Sequence, residues 1–222
     1  MIKKLNPPIF APKLPILIPK PEHHSVSDWD FTAGCVYALD TAQYVSAPRC
    51  LRVGGAGGSD MRSIFLCRTS ATRNLPQGRV SSWHRGQNYN VLTAYPFRSQ
   101  APLGSATIAN MYIVTITFNS WDLSKYVGGV LTPITEFERQ RAGDTWYHDR
   151  VTWWNGVTPE NDAAITVMLE SYIEGEWVQQ DDWVYDTDNL WKDSAINRCG
   201  IGSMEDAEYY NWIDDTEIWA PE

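Results

Sequence analysis

The chain consists of short segments in which apolar and polar residues alternate, and no segment keeps a helical period over three turns. An alternation with a period of two places every second side chain on the same face of an extended strand. About ten such segments, spaced fairly regularly between turn residues, predict an all-β fold: an antiparallel β-sandwich or jelly roll. The clearest strands are predicted at 61–69, 108–118, 146–154, 164–173 and 209–219.

The closing strand, 209–219, carries one residue that does not suit its face. Alternation places Asp214 on the same face as Trp212 and Ile218. A buried carboxylate has to be hydrogen-bonded, paired or bound to a metal, unless a β-bulge turns it away. The sequence leaves all of these outcomes open.

Other segments depart from plain alternation. Residues 120–126 and 188–193 each predict one helical turn. Pro48 interrupts a strand predicted at 44–53, which indicates an edge strand or a bulge. The glycine-rich stretch 54–58 lacks the spacing of a dinucleotide-binding loop and the lysine of a phosphate-binding loop, so we predict a connecting loop.

Residues 1–24 are predicted to form an extended, proline-rich N-terminal arm, followed by one β-sandwich domain over residues 25–222. Six of the 13 prolines lie within residues 1–21, a density that excludes a helix or a central strand. The arm is also apolar and basic, unlike a solvated linker. We predict that it docks on a neighbouring protein subunit; packing across its own domain and plain disorder are the alternatives. The residues predicted to contact the partner are Ile9, Phe10, Leu14, Ile16, Leu17 and Ile18.

Charge is distributed unevenly along the chain. Residues 1–21 carry a balance of +4, whereas residues 160–222 contain 17 acids and two bases, a balance of −15. The overall charge of −9 argues against general nucleic-acid binding. No apolar run is long enough to span a membrane, and prolines interrupt what would be the core of a secretory signal.

The four cysteines, Cys35, Cys50, Cys67 and Cys199, have no C-x-x-C pair, which disfavours a zinc site. One or two disulfides and buried thiols both remain open from the sequence.

Five stretches carry a resemblance to a known superfamily: WYHDRVTWW (146–154), TVMLESYIEGEWV (166–178), GIG (200–202), WIDDTEIW (212–219) and SAPRCLRVGG (46–55). Together they resemble the concanavalin A-like lectin/glucanase superfamily, which includes laminin-G-like and carbohydrate-binding jelly rolls. The resemblance extends over residues 28–219 and implies a concanavalin-like jelly roll. Fold alone does not imply activity.

The glucanase branch of this superfamily carries an E-x-D-x-E strand, and that pattern is absent here. Glycoside hydrolysis needs two carboxylates held across the scissile bond. A G-x-S-x-G motif is absent as well. We therefore predict that the protein is not an enzyme.

The resemblance also implies a structural calcium between the first and last strands, where Asp30 and Asp214 resemble the ligand positions. Calcium prefers hard oxygen ligands. The alternative is that Asp214 accepts backbone N–H groups without a metal. A second acidic stretch, 186–189 (DTDN), begins like a calcium-binding loop but lacks its glycine and closing glutamate, so we predict a polar turn.

Tryptophan is over-represented: eight of the 11 tryptophans follow residue 145. Trp153 and Trp154 are neighbours on one strand, so only one of them can face the core. Exposed aromatic rings can serve as flat platforms for sugars, and the predicted platform residues are Trp154, Trp177, Trp183 and Trp191. The alternative is that these rings fill the core or a subunit interface.

These observations favour a non-enzymatic structural, decoration or attachment protein of a virion or another extracellular multi-subunit assembly, anchored through its N-terminal arm. The alternative is a carbohydrate-binding module or lectin. The two interpretations do not exclude each other, because a particle protein can also carry a glycan site.

Overall fold

A computed structural model describes residues 29–46, 49–54, 61–68, 74–88, 91–156, 164–205 and 209–220. The predicted N-terminal arm, with all of its predicted partner-contacting residues, and Pro48 lie outside these residues. The described strands are β1 (Trp29–Phe31), β2 (Tyr37–Asp40), β3 (Cys50–Gly54), β4 (Met61–Cys67), β5 (Gly78–Gly86), β6 (Val91–Phe97), β7 (Met111–Ile116), β8 (Ser120–Val127), β9 (Val130–Glu138), β10 (Tyr147–Asn155), β11 (Ile165–Ile173), β12 (Glu176–Gln179), β13 (Val184–Asp186), β14 (Gly200–Glu205) and β15 (Tyr210–Trp219).

The strands form two antiparallel sheets. One, which we call the back sheet, has the order β1-β4-β14-β6-β7-β8-β9; the other, the front sheet, has the order β12-β11-β10-β5-β15-β3-β2, with β13 pairing β11. The all-β sandwich predicted from alternation is therefore confirmed. The closing strand β15 lies inside the front sheet, between β5 and β3.

The core lies between the sheets, where alternate side chains of both meet. Phe97 of the back sheet stacks on Trp153 of the front sheet, with ring centroids 5.0 Å apart. Trp153 is fully buried, while its neighbour Trp154 points to the outer face of the front sheet, as predicted for adjacent strand positions. Trp154 is nevertheless only 4% exposed, because another ring covers it.

A β-bulge in β15 resolves the problem of Asp214. The register with β5 shifts between Asp214 and Glu217, so that Ile213 and Ile218 both face the core although one is odd and the other even in number. Asp214 lies on the other face, and plain alternation was wrong to group it with Ile218. Bulges re-aim side chains in this way.

The helical turn predicted at 120–126 is wrong, because these residues form β8. Trp121 and Leu123 point into the core, and the strand pairs with β7 and β9 over its length. The residues predicted as a helical turn at 188–193 form a non-helical turn with positive φ at Asn189 (41°) and Trp191 (61°). Within the described residues, β2 is an additional strand that the sequence did not predict.

Part of the outer face of the back sheet is covered by the segment between β6 and β7. Ala101 and Ala106 of this segment pack on Ile64 and Leu66 in a second apolar cluster. Arg198, fully buried, fixes the segment by donating hydrogen bonds to the carbonyls of Pro102 (2.9 Å) and Ser105 (2.8 Å).

The four cysteines form no disulfide, which leaves the thiol alternative. No helix in the described part of the chain is long and apolar enough to cross a membrane.

Candidate functional site

The outer face of the front sheet brings aromatic side chains from four neighbouring strands into one line. The register pairs Trp83 of β5 with His148 of β10, and Tyr172 of β11 with Trp177 of β12. His148 and Tyr172 lie on adjacent strands with ring centroids 5.7 Å apart, which joins the two pairs. We call these four residues the aromatic row.

The rings of the aromatic row contact one another without a gap. Trp83 stacks on His148 at 4.7 Å with an interplanar angle of 21°. Trp177 meets His148 edge-on at 4.6 Å and lies 5.3 Å from Tyr172. Tyr172 is 42% exposed and the other three are partly exposed, so the row presents a continuous aromatic surface to solvent.

A polar pair borders the aromatic row two residues along the strands. Arg150 of β10 donates to both carboxylate oxygens of Glu170 on β11, at 2.5 and 2.7 Å. The guanidinium also lies over the Trp177 ring, 4.2 Å from its centroid. The pair is thus held in one orientation by a bidentate bond and a cation–π contact.

Two polar atoms beneath this surface have no hydrogen-bond partner in the described part of the chain: His148 Nε2 and Ser81 Oγ. Ser81 pairs with Arg150 on the neighbouring strand, just as Trp83 pairs with His148 two residues along. Ser81 therefore lies beside the Arg150–Glu170 pair, and His148 belongs to the aromatic row. Burial lowers the pKa of His148 to about 4, which keeps its ring neutral at pH 7. A neutral imidazole and a hydroxyl can each donate or accept a hydrogen bond.

A second aromatic group lies farther along the same face. Trp183 packs edge-on against Trp154 with centroids 5.6 Å apart, and its Nε1 donates to Gln179 Oε1 at 3.3 Å. Tyr185 of β13 is 49% exposed and pairs with Thr166, the cross-strand neighbour of Trp154. Aromatic side chains therefore occur at both ends of the Arg150–Glu170 pair.

Three of the four predicted platform tryptophans, Trp154, Trp177 and Trp183, lie on this face. The fourth, Trp191, packs against the core and contacts Tyr112 edge-on at 5.5 Å, away from the front sheet's outer face. Whether any of them contacts a sugar stays a prediction. The sequence did not single out Trp83, Tyr172 or His148, because their proximity depends on strand register between distant segments.

The two predicted calcium ligands are not brought together. Asp30 lies on the outer side of the back sheet, where Arg198 donates to its Oδ2 at 2.6 Å and Gly104 N at 2.8 Å. Asp214 lies in the front sheet and accepts the backbone N–H groups of Val45 (2.7 Å) and Ser46 (2.8 Å). Both carboxylates are satisfied by protein donors.

The described residues also contain no group of three or more His, Cys, Asp or Glu side chains that could hold a metal ion. The positions suggested by the resemblance therefore do not fit a calcium ion shared by Asp30 and Asp214.

A buried polar network closes one end of the interior. Asp149, fully buried, accepts hydrogen bonds from His84 Nε2 (2.6 Å) and from both terminal nitrogens of Arg141 (2.6 and 2.7 Å). Burial alone would raise the pKa of Asp149, but Arg141 and His84 hold it well below its ordinary value. The adjoining cavity has a volume of about 30 Å³, which suits water rather than a sugar ring. We interpret this network as structural.

No protein-family model matches the chain, and no curated protein matches its sequence. Solved structures do match in fold. The carbohydrate-binding module CBM66 from Bacillus subtilis gives a TM-score of 0.54 at 11% identity, covering 87% of this chain and 96% of that chain. The exoplasmic/lumenal domain of VIP36, in a Ca²⁺/Man3GlcNAc-bound form, gives 0.56 at 10% identity, covering 92% and 88%. Lectin UEA-II complexed with galactose gives 0.51 at 11% identity, covering 86% and 92%.

These neighbours are concanavalin-like jelly rolls, so the fold implied by the resemblance is confirmed for this chain. At such identities the likeness establishes the fold alone.

Proposed function

We propose that the protein is a non-enzymatic carbohydrate-binding module whose ligand lies on the aromatic row. The observation that carries the proposal is the unbroken contact between Trp83, His148 and Trp177 beside the Arg150–Glu170 pair. The apolar C–H groups of a sugar ring pack against aromatic surface, and a few fixed polar groups then orient the ligand. The outer face of the front sheet offers both an aromatic surface and fixed polar groups.

The polar groups suit sugar hydroxyls. Glu170 has a bound Arg150 on both oxygens but keeps further lone pairs, and the guanidinium keeps further N–H groups. Because the pair is preorganised, little side-chain entropy is lost on binding.

Hydrolysis is disfavoured by how the carboxylates of this face are used. A glycosidase needs one carboxyl to give up a proton and a second to act as base or nucleophile. Glu170 is held bidentately by Arg150, and Asp214 accepts two backbone N–H groups. Both carboxylates therefore already have partners within the protein.

A glycan array and pull-down with insoluble polysaccharides test the proposal. We expect the wild type to bind at least one class of glycan. The Trp177→Ala and Tyr172→Ala proteins should no longer bind it. Phe31→Ala is the matched control, because Phe31 is a partly exposed aromatic residue on the back sheet. Turnover of a polysaccharide would overturn the proposal, and so would glycan binding that survives both Trp177→Ala and Tyr172→Ala.

The particle-assembly role expected from the N-terminal arm stays a prediction, since the arm lies outside the described residues. The three fold neighbours described above are a carbohydrate-binding module, a glycan-bound lumenal domain and a lectin, and they support the lectin-like alternative instead. An arm that tethers the domain and a face that binds glycans are compatible.

A further inference from the structure

Lys125 is a buried lysine that bridges the two sheets. Its side chain projects inward from β8, on the same side as Trp121 and Leu123, and the residue is only 9% exposed. Its Nζ lies 2.8 Å from Asp186 Oδ2 and 2.5 Å from Asp188 Oδ2. Because β8 belongs to the back sheet and β13, which contains Asp186, to the front sheet, the ammonium ties the sheets together at one end.

The carboxylate of Asp186 is the centre of this arrangement. The hydroxyl of Tyr112 donates to the same Oδ2 at 2.6 Å, and the backbone N–H of Asp188 donates to Oδ1 at 3.2 Å. The Tyr112 oxygen in turn accepts the N–H of Leu190 at 3.0 Å. Burial alone would lower the pKa of Lys125, but the two carboxylates outweigh it and raise that pKa above its ordinary value.

The turn that follows Asp186 is strained and clamped. Asn189 and Trp191 both have positive φ, a conformation that costs free energy for residues other than glycine. The buried guanidinium of Arg98 donates to Asn189 Oδ1 at 2.6 Å and to Leu190 O at 3.0 Å. Such a backbone persists only when surrounding contacts determine it, and the Lys125–Asp186 ion pair is one of these contacts.

The sequence of this turn begins as calcium-binding loops do, with acidic residues at alternate positions. In such loops the carboxylate oxygens converge on a cation. Here the oxygens of Asp186 and Asp188 converge on an ammonium group.

We propose that Lys125 is a built-in cation for the 186–193 turn: it occupies the position between Asp186 and Asp188 that a divalent ion would otherwise take. The turn and the sheet-to-sheet contact are then formed without calcium. Removing the ammonium leaves two carboxylates facing each other, and the protein acquires a dependence on an external divalent cation.

Thermal unfolding of the full chain tests this proposal in calcium and in EDTA. The wild type should show the same Tm in both. Lys125→Met should lower the Tm in EDTA by on the order of 5–10 °C, as expected for breaking a buried ion pair in a domain of this size. Millimolar calcium should restore part of that loss, because an ion that binds only the folded state stabilises it.

Lys192→Met is the matched control. Lys192 is exposed and lies in the same turn, so the substitution makes the same change in net charge without touching the Asp186 carboxylate. It should leave the Tm unchanged in both solutions. If Lys125→Met fails to fold in EDTA, its recovery on refolding in calcium reads out the same dependence.

Three results would overturn the proposal: a wild-type Tm that falls in EDTA or rises in calcium, a Lys125→Met protein as stable as the wild type, or a destabilised variant indifferent to calcium.

Discussion

At the scale of single residues, the molecule depends on buried charges that are each satisfied by several partners. Arg198 donates to Asp30 and to five backbone carbonyls, among them those of Leu66 and Cys67. A buried carbonyl or carboxylate that loses its donor costs far more than an exposed one. Arg198 therefore holds β1, β4 and the segment between β6 and β7 in register.

Arg198→Met should lower the free energy of unfolding by about 3–5 kcal/mol, because it leaves Asp30 and the carbonyls without their main donor. Urea denaturation followed by tryptophan fluorescence measures the change. Arg68→Met is the matched control: Arg68 also reaches Asp30, at 3.3 Å, but its side chain is 44% exposed. An exposed ion pair contributes at most about 1 kcal/mol. Equal effects of the two substitutions would contradict the role given to Arg198.

His148 should make stability depend on pH in a definite direction. Its pKa is lowered to about 4 in the folded protein by burial, while an unfolded histidine titrates near 6.5. The unfolded state therefore binds the proton first, so the contribution of His148 is complete above about pH 6.5 and is lost as the pH falls toward 4. Denaturation of wild type and His148→Phe between these pH values should show a shallower slope for the variant. A slope unchanged by the substitution would refute this.

Residue-level features were the hardest to predict from the sequence. Trp177 and Trp183 were predicted as platform residues because they lie near loops. Alternation correctly separated Trp153 from Trp154. It did not find Trp83 beside His148, because 64 residues separate them and only the β5–β10 register brings them together. Trp191, also predicted as a platform residue, packs against the core instead of lying on the outer face of the front sheet.

At the scale of elements, the alternation of apolar and polar residues was sufficient to predict a strand where that strand has one apolar and one polar face. β10 and β11 occur where alternation predicted them. β8 was missed because its inward face includes Lys125, which reads as a solvent residue until its partners Asp186 and Asp188 are known. β9 continues through Pro133 because it is an edge strand, where a missing N–H is tolerated.

The β11–β12 hairpin illustrates how turn geometry positions the site. Glu174 and Gly175 both have positive φ, at 51° and 93°, as in a two-residue hairpin loop of type I′. This turn places Trp177 opposite Tyr172. Glycine suits such a conformation, whereas glutamate does not.

Glu174→Asn should stabilise the protein by about 0.5–1 kcal/mol, because asparagine tolerates positive φ in type I′ turns. Chemical denaturation gives the value. Glu176→Asn, two residues on and inside β12, is the control and should not stabilise, since asparagine is disfavoured in strands. A destabilised Glu174→Asn protein would show that residue 174 does not have the positive φ of a type I′ turn.

At the scale of the whole molecule, the charge asymmetry of the chain predicts association through the N-terminal arm. Residues 1–21 carry +4 and residues 160–222 carry −15. A chain beginning at Ser25 should retain the sandwich fold, but light scattering at low salt should show fewer chains per particle than for the full chain. Raising the ionic strength should reduce the mass of the full chain, because salt screens such attractions. The same association state for both chains would contradict the predicted role of the arm.

At this scale, we propose that the jelly roll binds glycans on the outer face of its front sheet and does not hydrolyse them. Isothermal titration of an array-positive oligosaccharide into wild type, Trp177→Ala and Phe31→Ala tests it most directly. We predict that Trp177→Ala weakens binding at least about tenfold, a loss of about 1.4 kcal/mol, while Phe31→Ala leaves it unchanged. Equal affinities for wild type and Trp177→Ala, with both proteins folded, would place the ligand elsewhere and contradict the proposal.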